Sequence, residues 1–211
     1  MHKKVVSPDL AAQLPALKEQ LRQELAALRD QGYKIVYIDE TMFTRKAMAK
    51  LEWAAKYQNA EIDEAQLNEP TKALLMGISE SGVEQWKIFA KSVNIKKFQQ
   101  YLQLVRDAHG DEKVALFMDN LAVHKSKKTK KKMEELKIKW VFNIPYQCQL
   151  NPIELVFSKI KQKFKTMRSE CLVRYKRPNI HTLIHRVVKT LRKEEIVRCI
   201  EHTNQEFAGK R

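Results

Sequence analysis

Glycine and proline are scarce, with 5 Gly and 6 Pro in 211 residues. That excludes a collagen-like repeat, a flexible Gly-rich linker and a low-complexity chain. Cysteine is scarcer still. Cys148, Cys171 and Cys199 are odd in number and none sits in a C-x-x-C pair. A disulfide scaffold or zinc knuckle is therefore excluded, and a reducing, intracellular setting fits. No apolar run approaches the ~20 residues that span a bilayer, and no signal-peptide pattern opens the chain. Acidic residues are also short: 25 Asp+Glu face 40 Lys+Arg, a formal charge of +15. An apolar fraction of 44% is that of a folded globule.

The positive charge is lopsided. Residues 1–111 carry 16 basic and 15 acidic side chains, whereas residues 112–211 carry 24 and 10. Such one-sidedness predicts an anionic partner. Nucleic acid leads because each neutralised phosphate releases counterions. An anionic membrane would call for a basic amphipathic helix with a strong apolar edge near a terminus. The basic residues instead cluster in the interior of the second half, so no membrane partner is expected.

Periodicity gives the elements. Leu10, Leu14, Leu17, Leu21, Leu25 and Leu28 mark an amphipathic helix from Asp9 to Gln31, stopped by Gly32. Packing on the core is the first reading of this stripe and a dimer contact the second. Tyr33–Ile38 reads as a buried strand ending at Asp39. Residues 43–70, with Trp53, read as a short helix and a loop. Lys72–Ser79 and Glu84–Lys91 form a hairpin around Glu80-Ser81-Gly82. Asn94 caps a helix to His109, with Phe98, Tyr101, Leu102 and Val105 inward. Lys113–Met118 is a strand ending at Asp119. Lys125–Leu136 is a basic helix, Lys139–Ile144 a strand, Asn151–Arg168 a helix, and Ile180–Phe207 one or two more. The order predicts an α/β fold with a mixed sheet of about five strands flanked by helices. The length suits one domain with appendages: a leading helix (1–32), a core (33–168) and a C-terminal helical extension packed on it (169–211).

Two similar strands thus end in Asp39 and Asp119. Ligands of open α/β sheets bind beyond the carboxyl ends of strands. If the two strands pair, the carboxylates lie side by side and require a cation to offset their repulsion. Hard oxygen donors suit Mg²⁺ or Mn²⁺, and two such ions serve in-line phosphoryl chemistry. Either Asp alone is explained by turn chemistry at a strand end. The third acid is in Asn151-Pro152-Ile153-Glu154, a sequence that reads as an N-cap, a first-turn Pro and an acidic first turn. Along that helix Ile153, Phe157, Ile160 and Phe164 form the apolar stripe, with Glu154, Ser158, Lys161 and Lys165 on the opposite side.

Three blocks carry a resemblance. Ile38-Asp39-Glu40-Thr41-Met42-Phe43, then Phe117-Met118-Asp119-Asn120 through His124, then Pro145-Tyr146 through Leu150-Asn151-Pro152-Ile153-Glu154 resemble the signature blocks of mariner-superfamily transposases. Asp119 and Glu154 are separated by 34 residues, the spacing of one major branch of that family. The resemblance covers about residues 33–165, and the L-N-P-I-E block is its most specific part. It implies an RNase H-like catalytic domain whose D-D-E triad, Asp39, Asp119 and Glu154, holds two Mg²⁺ or Mn²⁺ ions for DNA cleavage and strand transfer. It also places Asn120 and His124 beside the site, as orienting or DNA-contacting groups; loop hydrogen bonding explains them as well. Asn151 supports the block carrying Glu154. Gln147-Cys148-Gln149 replaces the family's usual S-P-D/E stretch without removing a metal ligand.

Full-length members of that family begin with paired helix-turn-helix modules. The residues before Tyr33 are too few for two such modules, so site-specific recognition is expected from a separate chain or a missing N-terminal segment. A homodimer or higher assembly is expected, because such enzymes act on paired ends, and in a eukaryote the place of action is the nucleus. Lys125, Lys127, Lys128, Lys130 and Lys131 belong to a run of six lysines in eight residues. With Ser158, Lys161, Lys165, Arg168, Arg174 and Tyr175 they are the candidate DNA contacts. A solvated helix face, a nuclear import signal and an exposed connection before Pro178 are the plainer explanations. Two other functions compete with a transposase: a domesticated, inactive DNA-binding or scaffolding protein, and a structure-selective nuclease of the same architecture.

Overall fold

The computed structural model describes residues 7–43, 70–173 and 179–207. The expected helix and loop around Trp53, and the residues Arg174 and Tyr175, lie outside the described residues. The elements are α1 (Pro8–Asp30), β1 (Lys34–Phe43), β2 (Lys72–Ser79), β3 (Gly82–Ala90), α2 (Ile95–His109), β4 (Val114–Met118), α3 (Ala122–Lys125), α4 (Lys127–Glu135), β5 (Lys139–Phe142), α5 (Ile153–Val173), α6 (Ile180–Lys189) and α7 (Lys193–Phe207). The strands form a five-stranded sheet in the order β3-β2-β1-β4-β5. β1 runs antiparallel to β2 and β2 to β3, while β1, β4 and β5 are mutually parallel. This is the α/β mixed sheet expected from the element order, and it is consistent with the RNase H-like architecture that the resemblance implies.

Alternation along the strands divides the interior into two layers. Ile35 and Tyr37 of β1, Leu74, Met76 and Ile78 of β2, Ala115 and Phe117 of β4 and Val141 of β5 face α1, α5, α6 and α7. Val36, Ile38, Ala73, Leu75, Val114, Leu116 and Met118 face α2 and Met133 of α4. Both faces of the sheet are therefore covered. The apolar stripe of α5 is buried as expected, and Phe164 meets Phe43 at 4.8 Å between ring centroids. In α1, Leu21, Leu25 and Leu28 are buried and Leu14 and Leu17 pack against the same layer. Packing thus accounts for the stripe's second half.

The boundaries differ from expectation in four places. β1 does not end at Asp39. Its parallel pairing with β4 stops at Tyr37↔Phe117, but its antiparallel pairing with β2 continues to Phe43↔Lys72 and holds the backbone extended. The lysine-rich helix breaks at Ser126, whose backbone is extended (φ −61°, ψ 144°) and whose hydroxyl caps α4 by accepting from the Thr129 N–H. β5 closes at Phe142, because Asn143 turns its side chain back on its own loop. α5 runs on past Arg168 to Val173.

Candidate active site

Strand parity gathers the acids. Asp39 follows Ile35 and Tyr37 of β1, which face the α5 layer, and Asp119 lies just past the end of β4, two residues after Phe117, which faces the same layer. The parallel pairing of β1 with β4 stops at Tyr37↔Phe117, and Asp39 and Asp119 each stand two residues beyond it. Glu154, in the first turn of α5, enters from the helix that covers this face. Burial is the main cause that raises the Asp39 carboxyl to about 7. The Glu40 N–H, donating to Asp39 Oδ1 at 2.7 Å, opposes this, and the charges of Asp119 and Glu154 add to the rise. Burial also raises Glu154, with Lys161 opposing and Asp119 adding to the shift. The three acids therefore feel one another across a partly desolvated space.

Each acid has a local support. Asp119 is 35% exposed in its side chain, and its Oδ1 lies 2.7 Å from His124 Nδ1 and accepts the Leu121 N–H at 3.2 Å. His124 is only 3% exposed and packs on Phe98 of α2 at 4.5 Å between centroids. The imidazole thus ties Asp119 to the helix behind the sheet. Asn120 Nδ2 donates to the Asn143 carbonyl, joining the loop after β4 to the loop after β5. Asn151 corrects the capping expectation. Its Nδ2 donates to the Ile38 carbonyl at 3.3 Å, so it fastens the approach to α5 directly to β1, one residue before Asp39. Its Oδ1 is buried and has no hydrogen-bond partner among the described residues.

Two supports were not singled out in the sequence. Asn143 is 4% exposed, accepts the Ile144 N–H and donates to the Gln147 carbonyl at 2.7 Å, which shapes the loop leading to α5. An Asn between Trp140-Val141-Phe142 and Ile144 was the available signal. Glu40, on the opposite face of β1 from Asp39, accepts the Val93 N–H at 3.3 Å.

The donor set fits a hard divalent cation: carboxylate oxygens only, mutually repelling and partly desolvated. Among the described residues, no three His, Cys, Asp or Glu side chains are drawn together to hold a metal. Asp119 Oδ1 is instead turned to His124 and Leu121, and Asp39 Oδ1 to Glu40.

The basic candidates divide. Lys125, Lys127, Lys128, Lys131, Ser158, Lys161 and Lys165 are exposed and Lys130 is half-buried, while Thr129 and Met133 form the inward side of α4. Lys125 and Lys130 lie over the Phe142 ring at 5.4 and 5.8 Å. Arg168 is 8% exposed, so the structure does not bring it to this open face. Among the described residues, no helix is long and apolar enough to cross a membrane.

A five-stranded mixed sheet covered by helices on both faces defines the class, an α/β domain consistent with the RNase H-like architecture. Residues 34–176 match the family model described as "DDE superfamily endonuclease", and the chain belongs to that family. No curated protein matches it in sequence. Solved structures similar to it include the Mos1 transposase paired-end complex with the left transposon end. It shares 16% identity at TM-score 0.56, over 96% of this chain and 64% of that one. The catalytic domain of Mos1 mariner transposase shares 14% identity at TM-score 0.54, over 96% and 98%. A simian T-cell lymphotropic virus intasome in complex with a PP2A regulatory subunit matches at 16% identity and TM-score 0.54, over 74% and 47%. The chain therefore spans less than two thirds of the Mos1 transposase in its paired-end complex.

Proposed function

We propose that the chain is the catalytic domain of a DNA transposase, cleaving and joining DNA strands with Asp39, Asp119 and Glu154. The pairing of β1 with β4, which runs towards Asp39 and Asp119, and the position of Glu154 in the first turn of α5 carry the reading, and the raised carboxyls of Asp39 and Glu154 agree with it. Membership of the DDE endonuclease family and similarity to the Mos1 catalytic domain, solved with Mg and with Mn, support it. The chemistry supplied by two Mg²⁺ or Mn²⁺ ions, when bound by the acids, is activation of a water or 3′-hydroxyl and stabilisation of the leaving 3′-oxygen. The protein's own part is positional. His124 and the Leu121 N–H hold Asp119 Oδ1, and Asn151 ties the approach to α5, which carries Glu154, to β1. Burial favours the protonated form of Asp39, so a divalent cation held there would bind in competition with that proton.

DNA is the partner in this reading, and the exposed lysines of α4 with Ser158, Lys161 and Lys165 of α5 form its track. Arg174 and Tyr175 extend the same proposal. A homodimer or higher assembly on paired ends, with a separate helix-turn-helix chain or segment for end recognition, completes it. Action in the nucleus of a eukaryotic host belongs to the same reading. So does the division into leading helix (1–32), core (33–168) and extension (169–211), with α5 running across the second boundary. The retention of all three acids favours an active enzyme over a domesticated scaffold. Asp119→Asn is expected to abolish Mg²⁺-dependent nicking of labelled DNA while leaving DNA binding intact. Undiminished nicking by the purified variant overturns the assignment. Joining of a 3′ end to a second duplex separates a transposase from a plain nuclease.

A further inference from the structure

The helix α6 is fastened to the core by one side, where Ile180, Leu183, Ile184, Val187 and Val188 are buried. Its first turn is regular, because the Asn179 side chain accepts the Thr182 N–H at 3.2 Å. The opposite side carries His181 and His185, four residues apart. At that spacing on an α-helix two side chains are neighbours, with Cβ atoms about 5–6 Å apart. His181 is exposed and His185 is half-buried. The His185 ring stands edge-on to Trp86 of β3, with 5.1 Å between centroids, so the sheet supports the second imidazole.

These two histidines differ from His109 and His124, which are buried and face carboxylates. Among the described residues, neither His181 nor His185 makes a hydrogen bond or an ion pair. Their ring nitrogens are open to a ligand. A pair of histidines at i and i+4 on one helical face is the arrangement that helical zinc sites use. Imidazole nitrogen suits Zn²⁺, Cu²⁺ and Ni²⁺, whereas the all-oxygen acids of the catalytic site suit Mg²⁺ and Mn²⁺. No third His, Cys, Asp or Glu joins the pair among the described residues, so water would complete the coordination. Arg186 and Lys189 on the same helix are exposed, and solvent and salt screen their repulsion of a cation.

We propose that His181 and His185 form a chelating site for a transition ion of the Zn²⁺ type, separate from the three acids, which clamps the first two turns of α6. The site goes beyond the transposase reading and does not rest on it.

The test titrates Zn²⁺ into the full chain by calorimetry, with Mg²⁺ in excess to compete at the carboxylates. One ion per chain is expected. Removing a group that merely orients a metal ligand costs about 10–100-fold in affinity, so His181→Gln and His185→Gln are each expected to cost at least about ten-fold. His202→Gln, at an exposed histidine of α7, and Asp119→Asn are expected to leave the affinity unchanged. Cu²⁺ is the second probe. Held at His185, it is expected to quench the emission of Trp86, and Trp86→Phe is expected to remove that loss. No Zn²⁺ binding in the presence of Mg²⁺, or an unaltered affinity in His181→Gln, overturns the site. So does an equal loss in Asp119→Asn, which assigns the ion to the acids, or quenching that persists in Trp86→Phe. Because His181 is exposed, its substitution tests the site even where His185→Gln disturbs the packing on Trp86.

Discussion

Among single residues the central fact is a carboxyl held near 7 at Asp39. In the unfolded chain an Asp titrates at about 4. Between these values the metal-free fold keeps a proton that the unfolded chain has released, so this group's contribution to stability falls as pH rises from about 4 to about 7. Asp39→Asn removes that fall. Its melting temperature at pH 8 is expected to exceed the parent's by on the order of 5 °C, with the gap closing towards pH 4. A cation must displace the same proton, so the thermal shift produced by Mg²⁺ is expected to be larger at pH 8 than at pH 6. Equal shifts at both pH values contradict the proposed role of Asp39. His124 acts through Asp119. His124→Ala is expected to slow nicking by about 10–100-fold, the usual cost of removing an orienting partner. Single-turnover nicking rates at saturating DNA measure it. Asp39 and Asp119 were legible in the sequence as acids closing two similar apolar runs, and His124 through the family resemblance of its block. The grip of Asn151 on the Ile38 carbonyl was not, because its partner lies 113 residues away along the chain.

For the elements, the hairpin, the Asn94-capped α2 and the apolar face of α5 follow from local pattern, since period and capping are local properties. The end of β1 does not. Its length is set by β2, a strand from elsewhere in the chain that goes on pairing after β4 has stopped. Gly77 of β2 shows the same dependence. A Cβ there would lie 2.8 Å from Tyr101 Oη and 2.9 Å from Val36 Cγ1. The bare backbone lets α2 settle on the sheet, with Tyr101 Oη donating to the Gln85 carbonyl at 3.1 Å. Gly77→Ala is expected to cost about 1–3 kcal/mol through overpacking. Urea unfolding with an unchanged m-value checks this.

Across the whole molecule, the proposed DNA track draws on the charge imbalance of the second half. Exposed lysines of α4 contribute long-range attraction rather than a fixed contact. Replacing Lys127, Lys128 and Lys131 by Gln is expected to reduce the slope of log affinity against log salt by about 0.9 for each phosphate that is no longer neutralised. Titrations at several salt concentrations give the slope, and an unchanged slope removes α4 from the DNA track.

Residue type and spacing along the chain were enough for the order of elements, the α/β class and the sign of the proposed partner's charge, while the three acids were named through the family resemblance of their blocks. None of these depends on which distant segments meet. That Asp39 and Asp119 share a face with α5, and that Arg168 is turned inward, came from the folded chain alone. So did the bracing role of Asn151. Register, burial and hydrogen bonding between distant segments exist only once the sheet has closed and the helices have covered it.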